Sequence, residues 1–143
     1  MKKVLCSGLG MMGSALVSVL GGWDTALATL IIFMAADYIS GLMVAGIFKK
    51  SPKSNNGTLE SRAGFKGLCR KSMVLLFVLI GDRLDLILGT DYVRTAVIIA
   101  FLTNELISLI ENAGLMGVPL PAIITRAVEI LQQNSGYDGT QQP

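Results

Sequence analysis

Five charged residues lie inside long apolar stretches of this 143-residue sequence and are its clearest candidates for chemistry: Asp37, Asp82, Arg83, Asp85 and Glu105. A charged side chain near the centre of a bilayer costs about 2.5 to 3.5 kcal/mol on the insertion scale. Such residues therefore face another helix, a counter-charge or water instead of lipid. We expect them at buried helix contacts, at a subunit interface or along a water-filled lumen.

Helical spacing indicates which neighbours share a face with these groups. Asp37, Gly41 and Ala45 follow one another at intervals of four, so an acid and two small residues lie on one face that another helix can approach closely. Asp82 and Asp85, three residues apart, share a face of a later segment. The last long apolar segment carries a polar stripe made of Asn104, Glu105, Ser108, Glu111 and Asn112.

Two interpretations of these polar faces are open, and they are compatible with each other. In the first, the acids pair with Arg83 or Arg94, or are protonated, and only fix the register of helices within one bundle. In the second, the polar faces line a subunit interface or a lumen, where intramembrane ionisable groups usually occur.

Composition indicates that lipid is the solvent for the elements that carry these residues. The chain is 52% hydrophobic and 15% charged, with a mean hydropathy of +0.61, whereas soluble domains carry about 25% charged residues. A spanning helix needs about 20 predominantly apolar residues, and stretches near that length occupy residues 4–22, 25–48, 72–89 and 92–110. The sequence predicts an all-α integral membrane bundle with four transmembrane helices in residues 1–115.

Charge predicts the orientation of this bundle. Residues 49–71 form a polar segment with one acid, Glu60, and seven basic residues: Lys49, Lys50, Lys53, Arg62, Lys66, Arg70 and Lys71. Because cytoplasmic loops carry the Lys and Arg excess, we expect a cytoplasmic basic loop here, in contact with anionic lipids, and both chain termini on the same side. Lys2 and Lys3 before the first apolar run also resemble a signal peptide, but another span follows at once, so we expect the first span to be retained.

The C-terminal part is predicted to leave the membrane core. Gly and Pro residues interrupt the helix after residue 113, and an amphipathic helix is expected within residues 116–133, suited to the membrane surface or to a neighbouring subunit. Residues 134–143 form a polar tail, which we expect to be disordered.

Catalysis is the function class that the sequence supports least. The chain has no histidine, and no nucleophile stands near a base at a recognisable spacing. Cys6 and Cys69 have no partner spacing for a metal or a disulfide framework and are predicted to be free thiols. We expect no enzyme activity, no cofactor and no metal. A net charge of +2 also predicts no strong attraction to nucleic acid.

Three segments of the chain resemble the phage lysis and toxin-secretion holins, a family found in phages of Gram-positive bacteria and in clostridial toxin loci. The segments are DYISGLMVA from Asp37, SRAGFKGLCRK from Ser61, and NELISLIENAGLMGVPLP from Asn104. Asp82 and Arg94 also stand where the family tends to have an acid and a base. The resemblance covers residues 25 to 131, and its most specific part is ENAGLMGVPLP.

The resemblance implies a protein that accumulates in the bacterial cytoplasmic membrane, associates with copies of itself and then abruptly permeabilises the membrane. A cell-wall-degrading endolysin or a toxin is thereby released, without necessary direct contact. The nearly neutral C-terminus QQNSGYDGTQQP departs from the densely charged tail of many holins. Two alternatives stay open: a small ion-coupled transporter or export subunit, which would also need buried acids, and a membrane scaffold that forms no pore.

Overall fold

Helices make up the fold of residues 1–134, the part of the chain that the computed structural model describes. The order of elements is α1 (Lys2–Val19), α2 (Thr25–Met43), a π-helical extension of α2 (Val44–Phe48), α3 (Ser61–Leu88), α4 (Val93–Leu115) and α5 (Ala122–Asn134). No strand occurs among these residues, which confirms the all-α prediction.

The core lies between α2, α3 and α4, with α4 packed against both of the others. Its buried apolar side chains are Leu27, Leu30, Met34, Val74, Val78 and Ile98. They recur at intervals of three and four residues along α2 and α3, as a helix must place them to keep one apolar face inward.

Contacts at both ends of α2 show how the three core helices run. Asp24, which precedes α2, contacts Arg94 in the first turn of α4, while Asp37 contacts Asn112 in the last turns of α4. Thus α2 and α4 run in the same direction, and α3 runs antiparallel to both. The α3–α4 turn begins at Gly89, whose φ of +67° is the left-handed conformation that ends many helices and that glycine adopts without strain.

Two helices of residues 1–134 are long and apolar enough to cross a membrane: Thr25–Phe48, which joins α2 to its π-helical extension, and Val93–Leu115. The other two predicted spans also form helices but do not meet this criterion, so four transmembrane helices stay a prediction. Helix α1 has 18 residues, begins with Lys2 and Lys3, and buries none of its side chains. Helix α3 interrupts its apolar run with Asp82, Arg83 and Asp85.

The structure corrects the predicted loop over residues 49–71. Helix α3 begins at Ser61, so only residues 49–60 connect α2 to α3, and the second half of the basic segment is helical. Arg62, Lys66 and Arg70 follow one another every four residues on one side of α3, where they repel each other, but all three are exposed, so water and salt screen this repulsion.

The chain after α4 follows the predicted pattern in part. Helix α5 begins within the expected amphipathic segment and ends one residue beyond it, at Asn134. Among residues 122–133, Val128 is buried, while Ile123 and Ile130 are exposed. The tail predicted to be disordered comprises residues 134–143. Apart from Asn134, these residues lie outside the described part of the chain.

Candidate functional site

One polar cluster joins all three core helices. The Lys71 ammonium of α3 donates to Asp37 Oδ2 of α2 at 2.9 Å and to Glu105 Oε2 of α4 at 2.5 Å. The three side chains are 13%, 7% and 11% exposed, respectively. We call Asp37, Lys71 and Glu105 the acid–lysine cluster.

Neutral groups complete the surroundings of Asp37. The side-chain amide of Asn112 donates to Asp37 Oδ1 at 3.1 Å and to Ser40 Oγ at 2.8 Å. The Ser40 hydroxyl in turn donates to the backbone carbonyl of Asp37 at 3.0 Å. Both carboxylate oxygens of Asp37 are therefore hydrogen-bonded, as a buried charge requires.

Charge in the acid–lysine cluster does not balance when all three groups are ionised, because two carboxylates share one ammonium. Removing one partner of a buried ion pair typically destabilises a fold by about 3–5 kcal/mol, because the other charge is left uncompensated in a poorly solvated place. Burial of both acids therefore depends on Lys71. Removal of either acid would leave the other acid in a matched pair with Lys71.

A cavity of about 210 Å³ opens beside this cluster. Asp37, Lys71, Glu105 and Ser108 lie on its polar wall, and Gly41 and Ala45 also line it. The small-residue face of α2 therefore meets this cavity and α4 of the same chain. Ala45 is buried, and a Cβ on Gly41 would lie 3.9 Å from Asn112 Nδ2.

The N-terminal end of α4 carries a second set of polar contacts. The Arg94 guanidinium donates to Asp24 Oδ2 at 2.5 Å and to the backbone carbonyls of Leu20 and Gly22 at 2.6 and 3.1 Å. The hydrogen bond from Arg94 lowers the pKa of Asp24 below its usual value of 3.8. Because Asp24 is also the N-cap of α2, accepting from the Leu27 amide at 2.8 Å, Arg94 fixes the start of α2 to the start of α4.

Asp85 caps α4 from outside that helix. Its carboxylate accepts from the backbone amides of Val93 and Arg94 at 3.0 and 2.9 Å and from the Thr90 hydroxyl at 2.6 Å. The first amides of a helix have no partner within it and attract a negative charge. Asp85 therefore closes the turn between α3 and α4, while Asp82 pairs with its neighbour Arg83 at 2.6 Å.

The structure thus divides the residues that the sequence singled out into three groups. Asp37, Glu105 and Asn112 come together, with Ser108, Gly41 and Ala45 around the same cavity. Asp82 and Asp85 lie at the opposite end of the three core helices. Asn104 and Glu111 are exposed, and of these two Asn104 also lines the cavity, so Glu111 is the member of the polar stripe that faces a different environment.

Lys71 is the residue of this cluster that the sequence interpretation misplaced, because it was assigned to the basic loop. Instead it lies in α3 and pairs with Asp37 and Glu105. Its spacing contained a signal: Lys71 continues the buried stripe of α3, which comprises Val74, Val78, Gly81 and Asp85 at alternating intervals of three and four. Of the two arginines expected to pair with the acids, Arg83 pairs with Asp82, whereas Arg94 pairs with Asp24, which the sequence did not single out.

Within residues 1–134, none of the remaining basic residues forms an ion pair with the cluster, although Lys53 and Arg70 line the cavity beside it. Lys49, Lys50 and Lys53 belong to the connector between α2 and α3, and Cys6 and Cys69 are free and exposed. Among residues 1–134, no group of three or more His, Cys, Asp or Glu side chains is placed to hold a metal ion. The arrangement pairs opposite charges within the bundle.

Comparison with known proteins identifies the family. The model of the bacteriophage holin family matches residues 14–133. An uncharacterised protein of Listeria monocytogenes is 37% identical over 139 residues, which cover 96% of this chain and 94% of that protein. An uncharacterised protein of Clostridium perfringens is 30% identical over 92% of this chain and 95% of its own length.

A third relative has a functional description. A probable holin of Bacillus phage phi105 is 28% identical over 107 residues, 74% of this chain and 73% of the phage protein. No solved structure matches the chain. The family match and the relatives extend across the core helices and the acid–lysine cluster, and they show that the chain belongs to the bacteriophage holin family.

Proposed function

We propose that this protein is a holin that oligomerises in the bacterial cytoplasmic membrane and opens it, releasing an endolysin or a toxin. Family membership supports a membrane function that is not enzymatic. The observation that carries the mechanism is the acid–lysine cluster, in which two acids are buried against one ammonium between apolar helices.

The cluster is suited to a closed state that water can disrupt. While α2, α3 and α4 are packed together, Lys71 compensates two carboxylates in a poorly solvated place. When neighbouring copies draw the helices apart, water solvates both carboxylates and the surplus negative charge, which favours the separated arrangement. The helices that sequester the charges in one state then line a lumen in the other.

The proposed topology has four spans with both termini in the cytoplasm. Helices α2 and α4 run in the same direction and α3 runs against them, as four consecutive spans require. In this orientation the connector of residues 49–60 and the basic start of α3 lie at the cytoplasmic surface, where anionic lipids attract Lys and Arg. Asp24, Arg94 and the α3–α4 turn then lie at the outer surface.

Inducible expression in bacteria tests this function when membrane potential and leakage of a cytoplasmic enzyme are followed together. We expect the wild-type protein to accumulate without effect and then to cause abrupt loss of both barriers. Asp37→Asn and Glu105→Gln each leave a matched pair with Lys71, so each variant should accumulate normally and delay or abolish the leak.

The alternatives give different results in the same experiment. Substrate-dependent currents of fixed size would indicate a small transporter, and a membrane that stays tight at high protein level would indicate a scaffold. If both variants permeabilise on the wild-type schedule at equal abundance, the acids serve only to fix helix register.

A further inference from the structure

A small basic depression lies on the side of α3 that faces the connector of residues 49–60. Its charged lining consists of Lys53, Lys66 and Arg70, and Ala63 and Gly67 supply the small side chains between them. None of the three cations forms an ion pair within residues 1–134, where the ion pairs engage other side chains. Three like charges thus converge on one place, and the acids that lie nearby, Glu60 and the buried Asp37, line the adjoining larger cavity.

The fold of the connector holds Lys53 in this position. The Ser51 amide donates to the Gly57 carbonyl at 3.0 Å, and the Lys53 amide donates to Ser51 Oγ at 3.3 Å. Gly57 has a φ of +72°, and a Cβ there would overlap the backbone carbonyl of Lys49. The tight turn therefore needs glycine, and it directs Lys53 towards Lys66 and Arg70, which lie one helical turn apart.

The depression is continuous with the larger cavity, since Lys53, Ala63, Gly67 and Arg70 line both. The larger cavity has apolar wall residues, among them Leu42, Leu59 and Val74, and its buried acids are engaged by Lys71. A basic recess beside an apolar wall fits a molecule with an anionic head and an apolar body.

We propose that Lys53, Lys66 and Arg70 bind the phosphate of one anionic phospholipid of the inner leaflet. The proposal rests on the orientation given under Proposed function, which places this end of α3 among the cytoplasmic headgroups. A phosphate offers several acceptor oxygens to donors that approach from different directions, and Arg and Lys are its usual partners. The site takes a single headgroup, in contrast to a diffuse attraction between a basic surface and the bilayer.

Native mass spectrometry of the full-length protein in non-ionic detergent tests the site, with phosphatidylglycerol compared with phosphatidylcholine of identical acyl chains. We expect one phosphatidylglycerol to be retained in preference to phosphatidylcholine. Lys66→Gln combined with Arg70→Gln should weaken its binding by roughly thirtyfold, because each basic residue near an anionic lipid contributes about fivefold. The matched control, Lys49→Gln combined with Lys50→Gln, removes the same charge from the same surface outside the depression and should weaken binding much less, because in detergent only direct contacts with the lipid contribute.

Equal weakening by the two double variants would mean general electrostatic attraction and would overturn the site, as would full binding by the Lys66 and Arg70 variant. Should that variant lose its helical circular dichroism, the connector variant Lys53→Gln replaces it, with an expected loss of about fivefold. Inorganic phosphate at constant ionic strength is the second arm: displacement of the lipid by millimolar phosphate would assign the site to the free anion and contradict a lipid site. Lipid retention does not depend on permeabilisation, so loss of leakage with intact lipid preference would contradict the proposed function alone.

Discussion

At the scale of single residues, Lys71 determines whether two acids can be buried between the helices. It belongs to α3, while Asp37 and Glu105 belong to α2 and α4, each 34 positions away along the chain. A cation in this position does two things at once: it compensates the acids and it connects the three core helices through one ammonium group.

Lys71→Met should destabilise the protein more than loss of either acid. The substitution keeps the length of the side chain but leaves two carboxylates without a buried counter-charge, and breaking a buried pair costs about 3–5 kcal/mol. Asp37→Asn and Glu105→Gln leave one acid with Lys71 and should cost less. Thermal unfolding in detergent, followed by circular dichroism, measures the order of the three variants.

Lys66→Met is the matched control for that series, because Lys66 lies on the same helix but is exposed. It should leave the unfolding temperature close to that of the wild type. If Lys71→Met is no less stable than Lys66→Met, the acids are protonated or solvated in the folded protein, and the account of the acid–lysine cluster is wrong.

Asp24 gives the fold a dependence on acidic pH. Its pKa lies below 3.8 in the folded protein because Arg94 donates to its carboxylate. A folded-state pKa that is lower than the unfolded one contributes stability above the unfolded pKa, and this contribution is lost as pH falls through the folded pKa. The Asp24 contribution should therefore be complete above its unfolded pKa and should be lost in more acidic solution, as pH falls through the lowered folded pKa.

Asp24→Asn tests this dependence because asparagine retains the capping of α2. The difference in unfolding temperature between wild type and variant should be largest near neutral pH and should vanish in acid. Other carboxyl groups titrate equally in both proteins and cancel in the difference. A difference that stays constant from neutral to acidic pH would mean that the Asp24 charge does not contribute through Arg94.

At the scale of elements, the α3–α4 hairpin is closely packed. Asp85 caps α4, and Gly81 lets the two helices approach so closely that a Cβ on it would lie 3.0 Å from Arg94 Cα and 3.3 Å from Arg94 N. These contacts are to backbone, which cannot rotate away as a side chain can. Small residues at such positions are how membrane helices reach close packing.

Gly81→Val should therefore separate α3 from α4 and destabilise the protein by about 1–3 kcal/mol or more, the usual cost of overpacking. Gly10→Val in α1 is the control, because no atom lies within 4 Å of a Cβ built there. Unfolding in detergent compares the two. Equal stability of the two variants would show that the hairpin opens at Gly81 without cost.

Helices α1 and α5 differ from the core in leaving their apolar side chains uncovered within the single chain. In α1, Leu5, Leu9, Met12 and Leu16 are all exposed, and in α5 so are Ile123 and Ile130. These faces are compatible with contact to lipid or to other copies, as the proposed assembly requires.

At the scale of the whole molecule, the proposed topology predicts which segments lie on each side of the membrane. A reporter that is active only outside the cytoplasm should be silent when fused after residue 55 and active when fused after residue 24 or 91. External activity at residue 55 would overturn the orientation, and with it the placement of the basic depression. An external N-terminus alone would reduce the bundle to three spans.

The sequence by itself determined the class of molecule and pointed to its buried acids. Long apolar blocks and a low charge content specify helices in a membrane, because a chain in lipid must satisfy its backbone hydrogen bonds locally. Charges within such blocks are costly wherever they lie, so Asp37, Glu105 and Asp85 could be selected without any knowledge of their contacts.

Only the tertiary structure decided which charges meet. Periodicity places a residue on a face of its own helix but does not say which face of another helix it contacts, since that depends on packing direction and register. Asp85 therefore proved to cap α4, Arg94 to bind Asp24, and Lys71 to be buried between Asp37 and Glu105. The basic segment shows the same limit. Its charge predicted a polar surface, but the ammonium of its last residue, Lys71, contacts carboxylates on two other helices. The attraction between these opposite charges holds Lys71 inside the bundle.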